Sequence, residues 1–157
     1  MKTTIILIAC LLLSFQLFTI QSVIKDIEAL QQVKEVPYTP KNKVLGIQIA
    51  NAIKAHESGG NYKAKGGSGE YGAYQMMPST YKSLSKNCLG DVLPPTPENQ
   101  DKIVHCTFEK LIKEGRTKKE IIRWWNSGSF TRCTKGVNRY GVAYDCPAYV
   151  QKVLSKL

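Results

Sequence analysis

The chain has only two histidines, His56 and His105, and no C-x-x-C pair among its five cysteines. A zinc site built from clustered His and Cys ligands is therefore not expected. The zinc-protease motif H-E-x-x-H begins at His56 and Glu57, but Gly60 stands where the second histidine is needed. A phosphate loop is missing too. The stretch "GGSGEYG" is rich in glycine, yet it lacks the terminal G-K-[S/T] and succeeds no strand pattern. Acidic residues are scarce, 12 against 22 Lys and Arg, which leaves a net charge of +10. Neither an internal repeat nor a nucleic-acid-binding signature is visible. Charge is absent altogether from Thr3 to Ile24.

That uncharged run, preceded by Lys2, has the character of a secretory signal. Residues 1–24 are read as a signal peptide or a signal anchor; both stay open, because a spanning helix needs about 20 apolar residues. Residues 25–40 read as a linker or tether, ending in "PYTP", where two prolines within four residues stop a helix. The remaining residues, 41–157, form one domain. Residues 1–36 carry three lysines and three acids, so the whole positive excess belongs to residues 37–157. An exported cationic domain is drawn to anionic wall polymers or a membrane surface rather than to nucleic acid. With Cys10 in the leader, Cys88, Cys106, Cys133 and Cys146 remain. An even number in a small exported domain implies two disulfides. Of three pairings, Cys88–Cys106 and Cys133–Cys146 close the shortest loops.

Within the domain, Leu45, Ile49, Ala52, Ile53 and His56 recur at helical spacing until Gly59 and Gly60. Further helices are expected from Pro78, through "ENQDKIVHCTFEKLIKEG", through "TKKEIIRWWNSG" with Thr117 and Glu120 at capping-box spacing, and from Asp145 to the end. Residues 59–75 read as a loop or short hairpin, and residues 129–146 as a loop. The fold class is α+β, predominantly α, with about five helices and at most one small β-hairpin.

Glu57 lies in the last turn of the first helix, where the helix dipole disfavours a carboxylate. Local chemistry and position conflict there, and such conflicts tend to mark functional sites. Tyr62, Tyr71, Tyr74, the Trp124–Trp125 pair and Tyr149 supply aromatic surface. A carboxyl with its pKa raised by apolar surroundings could protonate a glycosidic oxygen, and flat aromatic faces stack on sugar rings. Each feature also has a plain structural explanation, as a surface carboxylate and as core aromatics. Residue chemistry alone reaches no further than a saccharide site.

The stretch "ESGGNYKAKGGSGEYGAYQMMPST" resembles the signature of the lytic transglycosylases, of the soluble type related to goose-type lysozyme. That signature is a helix-ending E-S and then G-[LA]-[MY]-Q-[LM]-M-P, and Glu57 and Gln75 have its separation. "WWNSG" resembles the next block, A-Y-N-x-G, and "PAYVQKVL" resembles the closing Y-V-x-x-V. The resemblance implies a lysozyme-like fold and cleavage of the MurNAc–GlcNAc β-1,4 bond of peptidoglycan. It assigns Glu57 as the single catalytic acid and base, giving 1,6-anhydro products. Ser58, Gln75, Met77, Trp125, Asn126 and Tyr149 match substrate-binding or supporting positions, Tyr149 as the hydroxyl that orients the acid. No metal or cofactor is implied, and a monomer is expected.

Two positions depart from the family. Gly66 stands where a serine is common, and Trp125 replaces the tyrosine of Y-N-x-G. A hydrolytic muramidase is the alternative if a second carboxylate holds water about 6.5–9.5 Å from Glu57; Glu70, Asp91 and Asp145 are the candidates. The other alternative is a non-catalytic cationic wall-binding or antibacterial protein. Cysteine usage gives the first test. Thiol titration of the unfolded, unreduced domain is expected to find no free cysteine, whereas four thiols would remove the disulfide framework.

Overall fold

A computed structural model describes residues 20–21, 24–25, 39–137 and 141–157. The chain divides into two compact units, Met1–Glu35 and Val36–Leu157. In the first, the four described residues are helical. Most of the expected leader and of the tether lies outside the described residues. No helix among those described is long and apolar enough to cross a membrane.

The second unit is predominantly helical. Its described elements run α1 (Pro40–Glu57), α2 (Pro78–Leu89), α3 (Pro97–Lys113), α4 (Lys118–Ser127), β1 (Lys135–Val137), β2 (Ala143–Asp145) and α5 (Cys146–Leu154). Five helices and one two-stranded sheet agree with the fold class read from the sequence and with a lysozyme-like fold. Proline opens α1, α2 and α3 and is the second residue of α5. At the first turn its missing N–H is no loss and its fixed φ suits the helix. The last proline of "PYTP" therefore starts a helix, at Pro40. Thr117 and Glu120 form the reciprocal capping box that their spacing predicts. Gly90 and Gly128 end α2 and α4 in the left-handed conformation.

Burial tracks the 3.6-residue period. Ile49 and Ile53 of α1 meet Ile103, Val104 and Phe108 of α3, Ile121 and Ile122 of α4, and Val150 and Val153 of α5. On α3, Thr107 turns inward and its Oγ1 donates to the Ile103 carbonyl at 2.7 Å. Cys106 instead bonds Cys88, tying α3 to α2. A second disulfide joins Cys133 to Cys146, so the start of α5 is stapled to the loop after α4. A crosslink closing 18 residues contributes on the order of 3 kcal/mol.

Of the two loop readings, one needs correction and the other holds. The 129–146 segment is not all loop. β1 and β2 pair antiparallel with Lys135 opposite Asp145 and Val137 opposite Ala143. Both strands are exposed throughout, so no apolar alternation marked them. In the 59–75 segment, isolated bridges (Lys65 to Tyr71, Tyr71 to Met76) replace a hairpin ladder.

A polar network locks α1, α3 and this segment together. Asp101 on α3 accepts hydrogen bonds from Tyr74 Oη (2.7 Å), Tyr62 Oη (2.8 Å) and Lys54 Nζ (3.2 Å). Burial by itself would raise the Asp101 pKa; the bonds from Tyr74, Tyr62 and Lys54 outweigh it and hold the carboxyl below its usual value. A depressed carboxyl stabilises the fold above its unfolded pKa and ceases to do so as pH falls through its folded pKa. Asp101→Ala should thus cost about 1–3 kcal/mol near neutrality in a denaturant titration. The deficit should shrink in acid. A pH-independent deficit would deny the charge its role.

Candidate active site

The end of α1 is set by backbone geometry. Gly59 and Gly60 have φ of 64° and 87°, and the Gly60 N–H returns to the Lys54 carbonyl at 3.3 Å. Glu57 is the last helical residue, half-buried, with its carboxyl at the mouth of the turn. Burial is the main cause that raises its pKa above the ordinary carboxylate value. A hydrogen bond from Tyr149 opposes this, and the charge of Glu70 adds to the rise. The bond is short: Tyr149 Oη donates to Glu57 Oε1 at 2.6 Å, across 92 residues of chain. Burial, and next the Glu57 charge, push the Tyr149 phenol well above its ordinary value, so it remains a proton donor. His56 packs edge-on against the Tyr149 ring at 4.9 Å, which restricts the phenol on its open side.

Glu57 opens into a cleft of about 620 Å³. One wall comes from the 66–77 segment, with Gly66, Ser68, Glu70, Gln75 and Met77. The other comes from α4, with Trp124, Trp125 and Asn126, and from Val142. Trp125 is wedged against Phe108 and Tyr74, with ring centroids 5.4 and 6.1 Å away. Trp124 stacks on Phe130 at 5.8 Å with planes 10° apart. The tryptophan pair is therefore at once packed on the core and part of the cleft wall.

The 66–77 wall is held from behind. Gln100 Oε1 accepts from the Ala73 N–H at 2.9 Å, and its Nε2 donates to the carbonyls of Pro95 (2.9 Å) and Tyr62 (3.3 Å). Gly72 is required at this contact, because φ is 81° and a Cβ would collide with the Gln100 carboxamide. Gln75, three residues on, has φ of 49°, the one positive value outside glycine among the described residues. Its Nε2 returns to the Gly72 carbonyl at 2.9 Å and holds this uncommon conformation. Such local strain persists only where surrounding bonds enforce it.

Four expected substrate contacts, Gln75, Met77, Trp125 and Asn126, line the cleft. Ser58 and Tyr149 do not. Ser58 Oγ donates to the Ala73 carbonyl at 2.8 Å, joining the end of α1 to the far wall. Tyr149 is 9% exposed and stands behind the acid. Tyr149 thus bonds Glu57 directly, and Ser58 ties the residue after it to the 66–77 wall. Of the three second carboxylates considered, only Glu70 reaches the cleft. Asp145 caps α5 by accepting the Ala148 N–H at 2.9 Å, and Asp91 accepts the Val92 N–H at 2.6 Å. Gly66 has a structural reason. A Cβ there would lie 2.5 Å from Glu70 Oε2 and 2.7 Å from Gln75 Oε1, so these two side chains occupy the space a serine would need. Sequence reading missed Gln100, Asp101 and Lys54 as supports of the wall. Their partners are mostly dozens of residues away, and no local spacing signals them.

Residues 40–105 match the family model of the transglycosylase SLT domain. The match supports the lytic transglycosylase family, the one that the three sequence blocks resemble. It runs from the start of α1 into α3, so Glu57 and the 66–77 wall fall inside it, whereas α4 and Tyr149 fall beyond it. Comparisons with curated proteins and with solved structures find no match.

The opposed effects on Glu57 make a paired test. Tyr149→Phe removes the hydroxyl that favours the charged carboxylate, so the Glu57 pKa should rise further. Glu70→Gln removes a nearby negative charge, so it should fall. A carbon-13 NMR titration of the Glu57 carboxyl reads both; shifts of the same sign would refute the arrangement.

Proposed function

Taking the SLT domain as premise, we propose that this protein cleaves the MurNAc–GlcNAc β-1,4 bond of peptidoglycan as a lytic transglycosylase, with Glu57 as its acid and then its base. The observation that carries this reading is the half-buried Glu57 carboxyl, opening into a cleft with aromatic walls and held by Tyr149. A carboxyl whose pKa burial raises is a better proton donor, and it gives its proton to the glycosidic oxygen as the C1–O bond breaks. The GlcNAc end departs as an alcohol, and C1 of MurNAc gains oxocarbenium character. Glu57, now a carboxylate, takes the proton of the MurNAc C6 hydroxyl while that oxygen bonds to C1. The ring closes as a 1,6-anhydro sugar, Glu57 ends protonated, and no water is consumed. Tyr149 serves both halves. Its hydroxyl orients the carboxyl for donation and stabilises the anion that remains.

Trp125 in place of the family's tyrosine keeps an aromatic edge on the cleft and gives up a hydroxyl, so Asn126 supplies the polar contact on that wall. Action on peptidoglycan requires export. The SLT domain and two disulfides point to an extracytoplasmic protein. Residues 1–24 would serve as the signal, cleaved or kept as an anchor. The positive excess on residues 37–157 favours accumulation on an anionic wall.

One observation favours a second reading. Glu70 shares the cleft with Glu57, and a second carboxylate able to hold water turns the same site into a muramidase. The two readings differ in product. Digestion of purified peptidoglycan, with mass spectrometry of the soluble fraction, is expected to release anhydromuropeptides. Release of reducing-end muropeptides supports hydrolysis instead, and binding without release removes the enzyme altogether. Glu57→Gln should lower release by at least about 10²- to 10⁴-fold, the usual worth of a general acid. The alkaline limb of the wild-type rate should track the raised Glu57 pKa, since the protonated form is the donor.

A further inference from the structure

The exposed hairpin beside the cleft has no part in glycosidic bond cleavage. Gly136 on β1 and Tyr144 on β2 are directly paired. A Cβ on residue 136 would lie 3.0 Å from Tyr144 Oη and 3.2 Å from its Cζ. The phenol ring therefore lies across the glycine instead of standing off the sheet. Tyr144 is nevertheless 43% exposed, which leaves its outer face to solvent. Val142 immediately precedes β2 and lines the cleft. Tyr144 follows Val142 by two residues, which keeps the ring close to the cleft border. The base of the hairpin is pinned, by the Cys133–Cys146 disulfide and by the Cys146 N–H donating to the Thr134 carbonyl at 3.1 Å. Both strands are exposed along their length, so the tyrosine is not there to fill a core.

We propose that the Tyr144 ring, laid over Gly136, is an outer saccharide platform that stacks on a sugar of the glycan strand beyond the catalytic cleft. This rests on peptidoglycan being the substrate. A glycan strand is far longer than the cleft, so a strand that leaves it on the Val142 side meets the hairpin. A flat ring offers one apolar face to the C–H side of a pyranose, and its hydroxyl stays wet. Because the ring is held against the glycine and the hairpin is stapled, little conformational freedom is lost on binding.

The test measures binding by calorimetry in a Glu57→Gln background, so that strands are not consumed. The probes are a purified peptidoglycan tetrasaccharide and size-fractionated glycan strands of about ten disaccharides. Tyr144→Thr, a good strand former without a ring, should weaken binding of the long strands roughly three- to tenfold. Its effect on the tetrasaccharide should be under twofold, and Tyr144→Phe should bind long strands like the parent. Unchanged affinity for long strands would overturn the platform. So would an equal loss on both probes, or a loss in Tyr144→Phe as large as in Tyr144→Thr. If the chain with Glu57 intact fails to cleave strands but the length-dependent loss persists, the platform stands and only the enzymatic reading falls.

Discussion

A carboxyl group at the C-terminal end of a buried helix meets two penalties, desolvation and the negative end of the helix dipole. Both favour the protonated form, and Glu57 meets both. The hydroxyl of Tyr149 keeps this from becoming simple instability, since it bonds the carboxyl whichever state it takes. Much of the domain serves this contact. The tyrosine stands on α5, and α5 is positioned by Val150 and Val153 in the core, by the Asp145 cap and by the disulfide at its first residue. Moving α5 would leave the acid without its partner.

The cleft's other wall has an independent anchor. The 66–77 segment contains little regular structure, yet α3 holds it through adjacent residues that do different jobs. Gln100 bonds the backbone at Ala73, and Asp101 gathers the hydroxyls of Tyr62 and Tyr74. Lys54, one helical turn before Glu57, completes the Asp101 cluster at 3.2 Å. The helix bearing the acid and the wall facing it are thus fastened to one stretch of α3, so their separation is governed by a common support. Ser58 adds a direct tie between them. Loops gain the precision that chemistry needs from a scaffold of this kind.

Gly66, Glu70 and Gln75 illustrate how one missing Cβ reshapes a site. The glycine leaves room that a carboxylate and a carboxamide fill, which brings a second negative charge into the cleft with Glu57. That charge adds to the rise of the Glu57 pKa, and Glu70 is the second carboxylate that the hydrolytic reading requires.

Much of this was legible in the chain before any coordinates. Helical periodicity, N-terminal prolines, the Thr117 and Glu120 capping pair and glycine stops are local signals, and they placed α1 to α5 to within a few residues. Glu57 stood out as the candidate acid because a glutamate at a helix end contradicts its local setting, and because three blocks around it resemble one family. What stayed hidden depended on contacts across long stretches of chain. The exposed hairpin at 135–145 left no apolar alternation to read. Nothing near Ser58 or Tyr149 told which groups they bond; the Ala73 carbonyl and the Glu57 carboxyl are 15 and 92 residues away. Nor did spacing reveal that Glu70 enters the cleft while Asp91 and Asp145 are spent on a loop N–H and a helix cap. Sequence by itself determined the helices and the residue types available for chemistry, because these arise from backbone preference and periodic burial. Tertiary structure alone decided which of those residues share a cavity, because a pKa and a reaction depend on neighbours in space.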